Sequence, residues 1–124
     1  MKQIATEMAP VAVGPYSQGA VGHSVIATSG QLPVNPATGR IDSSDVRAQA
    51  RQSLENVRAV LAAAGKTMAD VMKATVYLAD MADFAQVNEV YAEFFSEPYP
   101  ARSCFQVAAL PLGAKIEVEV LCEC

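Results

Sequence analysis

Between Ala101 and Val120 the chain reads ARSCFQVAALPLGAKIEVEV. This stretch sets Arg102, Cys104, Glu117 and Glu119 into two short strand-like runs joined by a Pro/Gly turn. A guanidinium offers a planar fork of donors that matches a carboxylate. A glutamate nearby can move a proton or hold a water. Together they suit a small acid whose reactive carbon lies next to its carboxylate. Each residue also has a plainer reading. Arg102 could form a structural ion pair with Glu117 or Glu119, and Glu117 could be an outward-facing strand charge. Cys104 invites a nucleophilic role, because Arg102 could lower its pKa. However, the only histidine is His23, far off in sequence, so a wall of the pocket is the better role for this thiol. The same single histidine argues against a Ser-His-Asp triad or a His-based metal cage. Neither GxxxxGK[ST] nor GxGxxG occurs, so the glycines of VGPYSQG make no phosphate loop.

The elements that must carry these residues follow from hydrophobic spacing. Turn formers bound two short strands near Gln18–Val21 and Val25–Ser29, and Pro33, Pro36 and Gly39 punctuate a long loop after them. A helix is predicted over Asp42–Ala64, where Val46, Ala50, Leu54, Val57 and Leu61 make one apolar stripe. Asp42 or Ser43 would cap its start and Gly65 would close it. Val71–Leu78 reads as a strand. Asp83 would cap a second helix with Gln86 completing a capping box, Phe84, Val87, Tyr91 and Phe94 would be buried, and Pro98 and Pro100 would end it. Two more strands cover Arg102–Val107 and Lys115–Cys122. The order ββ-α-β-α-ββ predicts an α+β fold, with both helices on one face of a mixed sheet.

Alternation in the last strand puts Ile116, Val118, Val120 and Cys122 toward the helices and Glu117 and Glu119 away. If Phe105 and Val107 also take the core side, Arg102, Cys104 and Glu117 share the bare face. That face needs a cover, which a second copy of the chain could supply, with sites at the interfaces.

The 124 residues are expected to form one domain, 1–124. With 52% hydrophobic and 18% charged residues, a packed core is expected rather than disorder. A net charge of −4 and dispersed cations argue against a nucleic-acid partner. No apolar run could span a membrane, and MKQIATEMAP lacks a secretion-signal core. Three cysteines, two of them at Cys122 and Cys124, suit a reducing, cytoplasmic compartment better than a disulfide framework.

GPYSQGAV (Gly14–Val21), ATSGQLPVNPATG (Ala27–Gly39) and the Ala101–Val120 segment together resemble the RidA family, also called YjgF/YER057c/UK114. The resemblance runs over essentially the whole chain. It implies a chorismate-mutase-like α+β fold assembled as a homotrimer with clefts between subunits. It also implies hydrolysis of reactive enamines and imines, such as 2-aminoacrylate and 2-aminocrotonate as 2-iminopropanoate and 2-iminobutanoate, to 2-keto acids and ammonia. Pyridoxal-phosphate dehydratases release such compounds, and the family clears them. By matching positions, Arg102 would clamp the substrate carboxylate and Glu117 would activate water. Cys104 would line the pocket with backbone contacts, and Tyr16, Ser29, Gly30 and Asn88 would shape the cleft. No cofactor is needed, because an imine is already electrophilic. The same cleft could instead sense a 2-keto acid without turnover. An RNA-cleaving role, attached to some family members, fits the acidic charge least well.

Overall fold

The computed structural model describes residues 1–124. Six strands form one mixed sheet: β1 (Lys2–Ile4), β2 (Gly19–Val21), β3 (Val25–Thr28), β4 (Val71–Leu78), β5 (Ala101–Gln106) and β6 (Ile116–Glu123). Their order across the sheet is β1-β2-β3-β6-β4-β5. All neighbours are antiparallel except β4 and β5, which run parallel, as strands joined through a helix must. That helix is α2 (Phe84–Phe94), and α1 (Val46–Ala63) lies beside it. The α+β architecture with two helices and a mixed sheet is the expected one.

The core sits between helices and sheet. On α1 the apolar stripe Val46, Ala50, Leu54, Val57 and Leu61 is buried. It packs in one cluster with Ala74, Val76 and Leu78 of β4 and Ile116, Val118, Val120 and Cys122 of β6. Each fully buried aliphatic side chain contributes about 1.5–3 kcal/mol. Gly65 adopts φ +74°, the left-handed conformation that lets its N–H reach Ala62 O and close the helix.

Three local features differ from expectation. The cap of α1 is Asp45, whose carboxylate accepts from Ala48 N, whereas Asp42 accepts from Asn35 and Thr38 within the preceding loop. Before α2 a short turn, Met81–Asp83, already winds the chain, so Asp80 does the capping and accepts from Ala82 N. Asp83 makes no cap, and Gln86 accepts instead from Arg47 on α1. The helix stops at Phe94, before either proline. Finally, β1 had no sequence signal, being only three residues long. Its neighbourhood is held from a distance: the buried Gln18 side chain accepts from Thr6 N and donates to Thr6, Ala9 and Pro10 carbonyls.

The opposite sheet face carries no helix. Lys73, Thr75 and Tyr77 of β4, Ser103 and Phe105 of β5, and Glu117, Glu119 and Leu121 of β6 lie on it, none of them fully buried. No helix is long and apolar enough to cross a membrane.

Candidate functional site

β4 lies between β5 and β6, so its register decides which side chains share a face. Arg102 pairs with Ala74, and Glu117 pairs with Tyr77. Ala74 and Tyr77 are an odd number of positions apart, and side chains on a strand alternate. Arg102 and Cys104 therefore lie on the helix side of the sheet, and Glu117 lies on the bare side. This corrects the expectation that all three share one face. That expectation gave Phe105 to the core because it is apolar. Phe105 is in fact 48% exposed on the bare face, edge-on to the Tyr77 ring at 5.4 Å. At this sheet edge the helix side belongs to Cys104, partly buried against the core, and to Arg102.

α2 holds Arg102 through three residues. Its Nη1 donates to Asn88 Oδ1 at 2.8 Å. The guanidinium carbon lies 4.6 Å from the Tyr91 ring centroid and 5.5 Å from that of Phe84. Phe84, Asn88 and Tyr91 follow the four- and three-residue steps that line one helix face. Cation–π contact and a single hydrogen bond thus orient the fork, while most of its donors stay free for a ligand. Asn88, expected in the cleft wall, is an anchor for Arg102.

β5 is an edge strand, so half its backbone groups lack a strand partner. Val107 N donates to Leu78 O. By alternation, the N–H groups of Arg102, Cys104 and Gln106 point away from β4. Cys104 thus offers an outward N–H next to the Arg102 fork. Its thiol is pushed up by burial, with Arg102 pulling the other way, so it stays protonated and weakly nucleophilic.

Glu117 forms the second cluster. Its carboxyl lies above the ordinary value, first because burial disfavours the charge and then because Glu119 is near. It makes no hydrogen bond within the chain. After β3 the chain bridges to β6, with Gln31 N donating to Val118 O at 2.7 Å. That bridge lays Gly30 against Glu117 so closely that a Cβ at Gly30 would sit 2.6 Å from Glu117 Oε1. Ser29 is tied by its hydroxyl to Ser17 O. Tyr16, 48% exposed, accepts from Val13 N and joins Gly30 in lining a groove of about 710 Å³. Neither Arg102 nor Glu117 lines that groove.

The seven expected site residues therefore fall into two groups. Arg102, Asn88 and Cys104 meet at the β5–α2 edge. Glu117 and Gly30 meet on the bare face, with Tyr16 and Ser29 on the adjoining chain. Sequence reasoning missed Tyr91 and Phe84 as supports for Arg102, although their spacing from Asn88 was visible. It also missed Tyr77, whose hydroxyl donates to Glu119. No three His, Cys, Asp or Glu side chains cluster to hold a metal.

Residues 6–124 match the family described as endoribonuclease L-PSP. The chain is 54% identical over 123 residues to the 2-iminobutanoate/2-iminopropanoate deaminase of Escherichia coli strain K12, covering 97% of this chain and 95% of that protein. Among solved structures it is similar to E. coli TdcF with bound serine, at a TM-score of 0.95 and 50% identity, covering 100% of this chain and 99% of the other. It is likewise similar to the E. coli YjgF gene product, at a TM-score of 0.94 and 52% identity over 99% of this chain and 98% of the other.

Proposed function

The chain belongs to the endoribonuclease L-PSP family, that of YjgF and RidA, and from this premise we propose that it hydrolyses 2-imino acids to 2-keto acids and ammonia. The observation that carries the reading is the Arg102 fork, with one donor engaged and the rest free, beside the outward N–H of Cys104, a seat for a carboxylate. A relative that binds serine, itself a small amino acid, supports the same ligand class. The endoribonuclease of the family's description fits less well with a net charge of −4.

Arg102 and the Cys104 N–H hold the substrate carboxylate. Water adds to the imine carbon, and Glu117 accepts its proton as the C–O bond forms. Glu117 returns that proton to the nitrogen, giving the neutral carbinolamine; it then takes the hydroxyl proton as the carbonyl forms and passes it to the departing nitrogen, so the C–N bond breaks and ammonia leaves. The proton balance closes on one carboxyl, whose raised pKa suits both acceptance and return. Positioning supplies much of the remaining gain. Gly30, having no Cβ, lets the chain pass against Glu117 without pushing its carboxyl aside, and Tyr16 and Ser29 shape the approach.

One chain holds Arg102 and Glu117 on opposite sheet faces. This supports a site completed by a second copy, with Arg102 from one subunit and Glu117 from another. The uncovered face, carrying Phe105 and Leu121 at 48% and 38% exposure, supports assembly as a homotrimer. Three free cysteines suit a reducing cytoplasm, where pyridoxal-phosphate dehydratases would supply the enamines.

A coupled assay tests this. A dehydratase acts on serine or threonine, and keto-acid formation is followed with and without the protein. Acceleration that Arg102→Ala abolishes is expected. Binding of a keto acid without acceleration would point to a sensing role instead.

A further inference from the structure

The bare face holds two carboxyls of different standing. Glu119 is tied: the Tyr77 hydroxyl donates to its Oε1. Glu117, two residues away on the same strand face, has no partner. Tyr77 stands directly across from Glu117 in the β4–β6 register, yet it reaches past it to Glu119. Phe105, packed edge-on at 5.4 Å, fixes the ring that makes this reach. That hydrogen bond, with burial and the neighbouring glutamates, pushes the Tyr77 hydroxyl up to about 12, so the phenol remains a donor throughout the working range. Resting on the role of Glu117 above, we infer that Tyr77 and Glu119 are positioning residues: the tether holds a fixed negative charge beside Glu117 and keeps the second carboxyl from competing for its proton and its water.

The other charged groups near this face are already engaged. From β4, Lys73 donates to Ser103 Oγ. Just before β6, Lys115 donates to Ser44 O. Segment 29–31 brings only Ser29, Gly30 and Gln31, and β5 brings the uncharged Ser103 and Phe105. Within one chain, Glu119 is thus the charge that acts on Glu117, and it raises the Glu117 carboxyl.

The test is the pH profile of kcat/KM for Glu119→Gln, Tyr77→Phe and the double variant. Glu119→Gln keeps an acceptor for Tyr77 but removes the charge. Its acid limb should move to lower pH by about half a unit or more, the Coulomb effect expected of charges two strand positions apart. Tyr77→Phe frees Glu119, so kcat should fall severalfold while KM holds, because the Arg102 seat is untouched. In the Glu119→Gln background, Tyr77→Phe should add nothing, since Tyr77 acts through Glu119. Profiles that superimpose on the wild type, or a Tyr77 effect of equal size in both backgrounds, would overturn the inference. Glu117→Gln run in parallel separates the two levels. If it keeps full kcat, the role of Glu117 itself is wrong. If it is inactive while Glu119→Gln is unchanged, only the positioning role is wrong.

Discussion

Arg102 gains its orientation from neutral partners. An ion pair to a carboxylate would use up the fork, whereas two ring faces and one amide oxygen leave donors free. Tyr91→Leu keeps an apolar side chain but removes the ring, and should raise KM roughly 2- to 30-fold, the range of a partly desolvated cation–π contact. Tyr91→Phe should restore KM, because the buried Tyr91 hydroxyl has no hydrogen-bond partner. Steady-state kinetics on both variants check this. Glu117 carries a different signature. Its folded carboxyl lies above the unfolded value, so ionisation costs stability at pH above both, and the cost vanishes as pH falls below the unfolded value. Glu117→Gln should therefore raise Tm at about pH 7 and lose that advantage at about pH 4, while kcat falls about 10²- to 10⁴-fold. Thermal unfolding at the two pH values reads the first part. Residue type alone suggested the chemistry proposed for Arg102 and Glu117. Their faces were not legible, because hydrophobicity assigned Phe105 to a core that Cys104 occupies instead.

At the scale of elements, the site depends on where β3 goes after Thr28. The bridge of Gln31 to Val118 carries Gly30 onto Glu117. Gly30→Ala would force a Cβ to within 2.6 Å of Glu117 Oε1, so the carboxylate must swing aside. We expect kcat to fall at least tenfold, with KM for the carboxylate nearly unchanged, since a displaced base loses its aim. An unaltered kcat would show that Glu117 works from another rotamer. Long periodic elements were legible: β4 matches its expected bounds, and the α1 stripe is buried throughout. Caps were not, because several acidic residues compete near each helix start and the local turn decides among them. Asp45 and Asp80 won over Asp42 and Asp83 for that reason. β1 and the Gln18 tether escaped because long-range pairing leaves no local pattern.

At the scale of the whole molecule, the sheet face that carries Glu117 is left without a helix to cover it. One chain holds Arg102 and Glu117 on opposite faces of its sheet. A second copy against the bare face would resolve the separation, with the unpaired edge of β5 offering outward N–H groups beside Arg102. The most direct measurement is complementation between two inactive variants. Arg102→Ala and Glu117→Gln are co-expressed, and mixed assemblies are isolated through two affinity tags. Their turnover of an imine generated in the coupled assay is then compared with that of each parent. If every site of a homotrimer takes Arg102 from one chain and Glu117 from the next, each mixed trimer rebuilds one of its three sites, so the isolated assemblies should regain about a third of wild-type activity. Mixed assemblies no more active than either parent would contradict a site shared between subunits.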